Sequence, residues 1–142
     1  MSVTTAFRSI VIMTLVAAIG HTALPAAIAQ DKPAVIRKGE FDGQWHGMRV
    51  KFNIQEAHAN NTFDGIAEVA EGANAGLKFG IHGRLDKDNA LVVMRYVAGD
   101  FQVARVGPPQ VVDGTLIWRG ETSGVGLREG VTWAFELRVP QP

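Results

Sequence analysis

From residue 41 onward the chain repeats its apolar residues at every second position, and no ten-residue window carries a helical repeat. Met48, Val50, Phe52 and Ile54 alternate with Arg49, Lys51, Asn53 and Gln55. Leu77, Phe79, Ile81 and Leu85 alternate with Lys78, His82 and Arg84, and Trp133, Phe135, Leu137 and Val139 with Ala134, Glu136 and Arg138. Successive side chains of a strand point to opposite faces, so each stretch reads as a strand with one dry face and one wet face. Phe63, Ala67 and Val69 continue the pattern, with Ile66 as a misfit, and Phe101–Val106 is a shorter strand. Leu91–Val97 is apolar on both faces except for Arg95, which predicts that its outer side is covered.

Turn-forming residues separate these runs at Asn60-Asn61, Glu71–Gly76, Asp86–Asn89, Gly99-Asp100, Gly107-Pro108-Pro109 and Ser123–Gly130. Asp113-Gly114, between Val111-Val112 and Thr115-Leu116, is the strongest hairpin signal. Seven or eight short strands in sequential hairpins predict one all-β domain over residues 41–142. An antiparallel up-and-down β-barrel is the expected architecture, because closure removes exposed strand edges.

The first residues read as an address. One charge, Arg8, precedes an apolar run Ile10–Gly20, followed by Leu24-Pro25 and the small-x-small site Ala27-Ile28-Ala29. That is the order of a secretory signal peptide, 1–29, and the run is too short to span a bilayer, which takes about 20 apolar residues. Export to the periplasm or medium is therefore expected. Residues 30–40, polar with Pro33 and Gly39, read as an N-terminal tether with a short strand at Val35-Ile36.

Composition excludes several classes. The chain has 14 Lys+Arg and 14 Asp+Glu among 142 residues, so it offers no basic footprint for nucleic acid or anionic lipid. It has no Cys, which rules out disulfide scaffolds, thiol nucleophiles and Cys-ligated zinc. Gly124-x-Gly126-x-x-x-Gly130 lies between strands, not before a helix, so it is no phosphate cradle. Ser123 lacks a nucleophile context, and no pair of carboxylates has reason to hold separated pKa values. No catalytic residues and no cofactor are expected.

Four aromatic residues are the candidate ligand-binding set: Trp45, Tyr96, Trp118 and Trp133. Barrel mouths hold small apolar ligands against such walls, although filling the core is the commoner fate of a buried Trp. With Val92, Met94 and Tyr96 turned inward, Leu91, Val93 and Val97 would form an outer stripe beside Ile117, predicting a homodimer or higher oligomer that buries Val93 and Ile117. His46, His58 and His82 have no His-x-His or His-x-x-x-His spacing and read as solvated or singly hydrogen-bonded, with no metal site. Arg95, Arg105 and Arg119 lie on successive strands near Asp100, Glu121 and Glu136 and read as an ion-pair face. One of these arginines placed inside the barrel would instead hold an anionic ligand head.

Gly43-Gln44-Trp45 resembles the opening of calycin barrels, the lipocalins and avidins, in which the Trp plugs one barrel end. In spacing the chain is most similar to the avidin and streptavidin family. Phe63-Asp64-Gly65 stands at its second-strand Gly, and Phe79–Leu85 and Leu91–Tyr96 resemble its third and fourth strands. Trp118-Arg119-Gly120-Glu121-Thr122 resembles its Trp-Ser-Gly-Gln strand, and Val131–Phe135 the strand with a ligand-stacking Trp. The biotin-binding residues are missing. Gly47 and Lys51 replace the Asn and Ser that bind the ureido oxygen, and Gly114 and Leu116 replace a Ser and a Thr. A ureido group buried without partners would cost about 1–3 kcal/mol per group. The resemblance thus implies the barrel and not the ligand. The expected function is an exported, non-catalytic protein holding a small apolar or amphipathic ligand. The alternative is a protein-interaction module such as an envelope assembly factor or a protease inhibitor. Small exported barrels with a Gly-x-Trp start also occur among metalloprotease inhibitors, whose N-terminal segment acts, though their Cys pair is missing here.

Overall fold

A computed structural model describes residues 33–97, 99–124 and 133–142. The signal-peptide reading lies outside these residues, as do residues 125–132 and the side chains of Val97 and Asp100. Among the described residues there is no helix, hence none long and apolar enough to cross a membrane. Nine strands form: β1 (Gly39–Trp45), β2 (Met48–Ala57), β3 (Thr62–Val69), β4 (Lys78–Leu85), β5 (Leu91–Val97), β6 (Asp100–Val106), β7 (Gln110–Val112), β8 (Thr115–Gly124) and β9 (Ala134–Pro140). Their order is β6-β5-β4-β3-β2-β1-β9-β8-β7, and β6 also pairs with β8 through Gln102↔Gly124 and Ala104↔Thr122. Eight antiparallel strands thereby close into an up-and-down barrel, with β7 a short ribbon hairpinned onto β8. This is the predicted fold class, and it agrees with a calycin-like barrel.

The alternation seen in the sequence decides which side chains enter the barrel. Phe79, Ile81, Gly83 and Leu85 of β4 face inward, as do Val50, Phe52 and Ile54 of β2 and Phe135, Leu137 and Val139 of β9. Large rings and glycines interlock. A Cβ added at Gly83 would lie 1.9 Å from the Phe63 ring, and one at Gly43 2.6 Å from Phe52. Eight strands leave an interior just wide enough for side chains, and these glycines make room for the aromatic ones.

The turns show which signals were strong. Asp113 and Gly114 both have positive φ and join Val112 to its partner Thr115, as the Asp-Gly pair predicts. His46 and Gly47 make the equivalent turn with φ of 52° and 72°, joining Trp45 to Met48. His-Gly is a rarer carrier of that backbone than Asn-Gly or Asp-Gly. That turn makes Gly43–Trp45 the end of a separate strand β1, ahead of the Met48–Ala57 strand.

Three expectations are corrected. On β5 it is Leu91 and Val93 that enter the core, while Val92, Met94 and Tyr96 take the other face, so the register is the reverse of the expected one. Leu91 and Val93 pair with the inward Leu85 and Gly83 of β4, and this register brings Arg95 inward with them. Val93 (1% exposed) is therefore in the core, and Ile117 (5%), though outside the core cluster, is also buried within one chain, so the two do not form the expected outer stripe. Residues 33–37 are neither a strand nor a free arm. Ala34 and Ile36 join the core, Ala34 N donates to Asn89 Oδ1 at 2.8 Å, and Arg37 Nη2 donates to the Pro140 carbonyl at 3.0 Å. Leu77, expected inside, is exposed beyond the end of β4.

Candidate functional site

Strand directions alternate around the ring, so the β1–β2 turn, the C-terminal end of β5 and the start of β9 share one end of the barrel. Trp45 forms its floor. It is fully buried, its ring lies 5.7 Å from both Phe79 and Phe135, and its Nε1 donates to Gln102 Oε1 at 3.3 Å. The next residue, His46, sits in the turn with its ring 5.8 Å from Trp45 and 4.6 Å from Trp133, edge-on to the latter. The Gly47 amide donates to the Ala134 carbonyl at 3.0 Å, which ties the turn to β9 and holds Trp133 beside His46.

Arg95 enters the same end from β5. Its guanidinium lies over the Phe79 ring, 4.1 Å from the centroid, and its Nε is buried with no hydrogen-bond partner among the described residues. The Nε2 of His46 is buried and equally unpartnered. Burial, and then the Arg95 charge, lower the His46 pKa from 6.5 to about 4. Burial also lowers that of Arg95, which stays cationic. At neutral pH the site thus holds one cation, a neutral imidazole and aromatic faces. That set accepts an anion or strong hydrogen-bond acceptor with an apolar body.

Of the four residues anticipated for ligand contact, Trp45 and Trp133 meet here. Trp118 is fully buried, and its Nε1 donates to the Asn89 carbonyl at 2.9 Å, in the β4–β5 turn at the opposite end. Tyr96 is 71% exposed on the outer wall, where it borders an apolar groove of about 360 Å³ with Met94 and Phe101. Arg95, His46, Phe79 and Gln102 were not anticipated as a group. The expected ion-pair face divides accordingly: Arg119 and Arg138 both bind the buried Glu136 carboxylate, Arg105 is exposed, and Arg95 points inward. Burial works to raise the Glu136 pKa, but the two arginine hydrogen bonds outweigh it and hold it low.

His58 and His82, expected to be solvated or singly hydrogen-bonded, each make a hydrogen bond to the same carboxylate, Asp64: His58 Nε2 lies 3.2 Å from Oδ2 and His82 Nδ1 lies 2.8 Å from Oδ1. The His82 hydrogen bond is the main reason the Asp64 carboxyl sits below its ordinary pKa. No family model, curated protein or solved structure matches this chain.

Proposed function

We propose that this chain is an exported, non-catalytic binding protein of the periplasm or external medium that takes a small amphipathic anion at the barrel mouth. The ligand's head would pair with Arg95 and its apolar body would lie against Trp133, Phe79 and the rim of Trp45. The observation that carries this reading is Arg95: a guanidinium turned into the barrel, its Nε buried and without a partner among the described residues. A buried unmade hydrogen bond costs about 1–3 kcal/mol, so a site that keeps one is open to an acceptor from outside. The resemblance to avidins supports a mouth-bound ligand, and the leader-like N-terminus supports export.

Trp fluorescence titrated with decanoate and with 1-decanol tests the proposal. Saturable quenching by decanoate, and weaker quenching by the alcohol, is the expected result. An unchanged spectrum with both refutes it.

A second reading, a protein-interaction module or homo-oligomer, draws on the outer groove beside Tyr96 and Phe101, which are 71% and 50% exposed. The N-terminal segment is a poor candidate for the acting part, since Ala34 and Ile36 are held in the core. Pull-down or sedimentation that is sensitive to Tyr96→Lys and indifferent to decanoate would favour this reading.

A further inference from the structure

We propose that Glu56, His58 and Asp64 form a binding site for a divalent transition metal, best suited to zinc, on the barrel wall at the end away from the mouth. Three adjacent strands assemble it. Asp64 of β3 sits directly opposite Glu56 of β2 and opposite His82 of β4. The β2–β3 register shifts between Ile54 and Glu56, an irregularity that sets Glu56 against Asp64. Just beyond the end of β2, the backbone of His58 is fixed by a hydrogen bond from its amide to the Thr62 carbonyl at 2.9 Å. The turn is closed by Asn61 at a φ of 62°.

The donor atoms are already near coordination spacing. His58 Nε2 lies 3.2 Å from Asp64 Oδ2 and 3.8 Å from Glu56 Oε2, and all three atoms lie within 4.8 Å of one another. Tetrahedral zinc with bonds of about 2.0–2.2 Å needs its ligand atoms roughly 3.3–3.5 Å apart. Small rotations of exposed side chains bring the set to that spacing. One imidazole and two carboxylates suit zinc or a neighbouring transition ion better than calcium or magnesium, which prefer all-oxygen sets. Three protein ligands leave a position for water.

Two features point to a cation rather than to a chance surface network. Like charges placed directly opposite on neighbouring strands repel, and Glu56 faces Asp64 in that way. An ion between them turns the repulsion into attraction. His82 holds the second oxygen of Asp64 at 2.8 Å, leaving Oδ2 directed at His58. Outer partners of this kind orient ligating carboxylates.

The test is calorimetric titration of the protein with ZnCl2 at pH 7, with long-range imidazole NMR to identify the rings involved. The expected result is one Zn2+ per chain, with His58 Nε2 shifting as a ligated nitrogen. His58→Ala and Asp64→Asn each weaken binding by more than about 10-fold, and His82→Ala, acting through Asp64, by about 10-fold. Glu71→Gln, remote from the cluster, leaves it unchanged. Absence of saturable binding up to millimolar ZnCl2 overturns the proposal, as does full affinity in His58→Ala or a shift confined to His46. The ring shifts are read in the unaltered protein, so the test does not depend on any variant folding.

Discussion

Arg95→Met separates a binding role for Arg95 from a structural one, because the two predict opposite signs. The unpartnered buried Nε of Arg95 costs roughly 1–3 kcal/mol. Its guanidinium recovers about 0.5–2 kcal/mol from the Phe79 ring 4.1 Å away. Met has a similar reach, packs on an aromatic face and carries no donor to satisfy. The balance is therefore a folded state more stable by about 1 kcal/mol, a rise in Tm of roughly 4 °C for a domain of this size. Urea unfolding followed by Trp fluorescence reads it as a higher midpoint at unchanged slope. The same substitution removes a charge-assisted hydrogen bond worth about 1.5–3 kcal/mol to a bound carboxylate, so decanoate affinity falls by roughly 10- to 150-fold while that for 1-decanol holds. A third readout is the His46 ring, whose pKa rises only part of the way toward 6.5, because burial rather than Arg95 is the larger cause of its depression. Loss of more than about 1 kcal/mol in Arg95→Met, or undiminished decanoate binding, refutes the reasoning.

Other outcomes follow from the same geometry. In an NMR titration His46 changes protonation near pH 4, while the unfolded chain does so near 6.5. The unfolded state therefore binds the proton first, and urea midpoints decline as pH falls from 6.5 toward 4, with His46's contribution fully present above that window. Ile36→Ala, which opens the end of the barrel opposite the mouth, lowers stability by about 2 kcal/mol in chemical denaturation. Gly83→Ala forces a methyl into the Phe63 ring and costs about 1–3 kcal/mol, read as a lower Tm. Val93→Lys abolishes cooperative folding by burying an unpaired charge, whereas Tyr96→Lys, on the exposed wall, leaves the melting curve near its original position.

The barrel was legible because its information is local. Period-two alternation marks a strand from a handful of neighbours, and Asp113-Gly114 carries its own backbone requirement. Where two local signals competed, the weaker lost. Leu91–Val97 offers apolar residues to both faces, so the alternation alone left its direction undetermined, and the inward turn of Arg95 depends on the Phe79 ring from the neighbouring strand. The polar residues on either side, Gln30–Lys32 and Arg37–Glu40, concealed Ala34 and Ile36, two small or medium apolar residues whose segment is tied to Asn89 in a distant turn.

The chemistry was hidden for a stricter reason: in a closed barrel a cluster of side chains is a property of register. Asp64 meets His58 across 6 residues and His82 across 18, and each pair lies on different elements, so no period within a single strand brings them together. They become neighbours only once β3 pairs with β2 and β4 in one particular alignment, and a one-residue slip would send Asp64 to the other face. The mouth obeys the same rule. His46 follows Trp45 directly, yet its nearer ring contact is Trp133, and the cation that lowers its pKa is Arg95 on β5. A reading that counts motif spacings therefore finds neither group, whereas one that first assigns the inward face of each strand and then lays the strands edge to edge recovers both. In this chain Arg95, the one of three candidate arginines that the β5 register turns inward, is what marks the mouth as a candidate site.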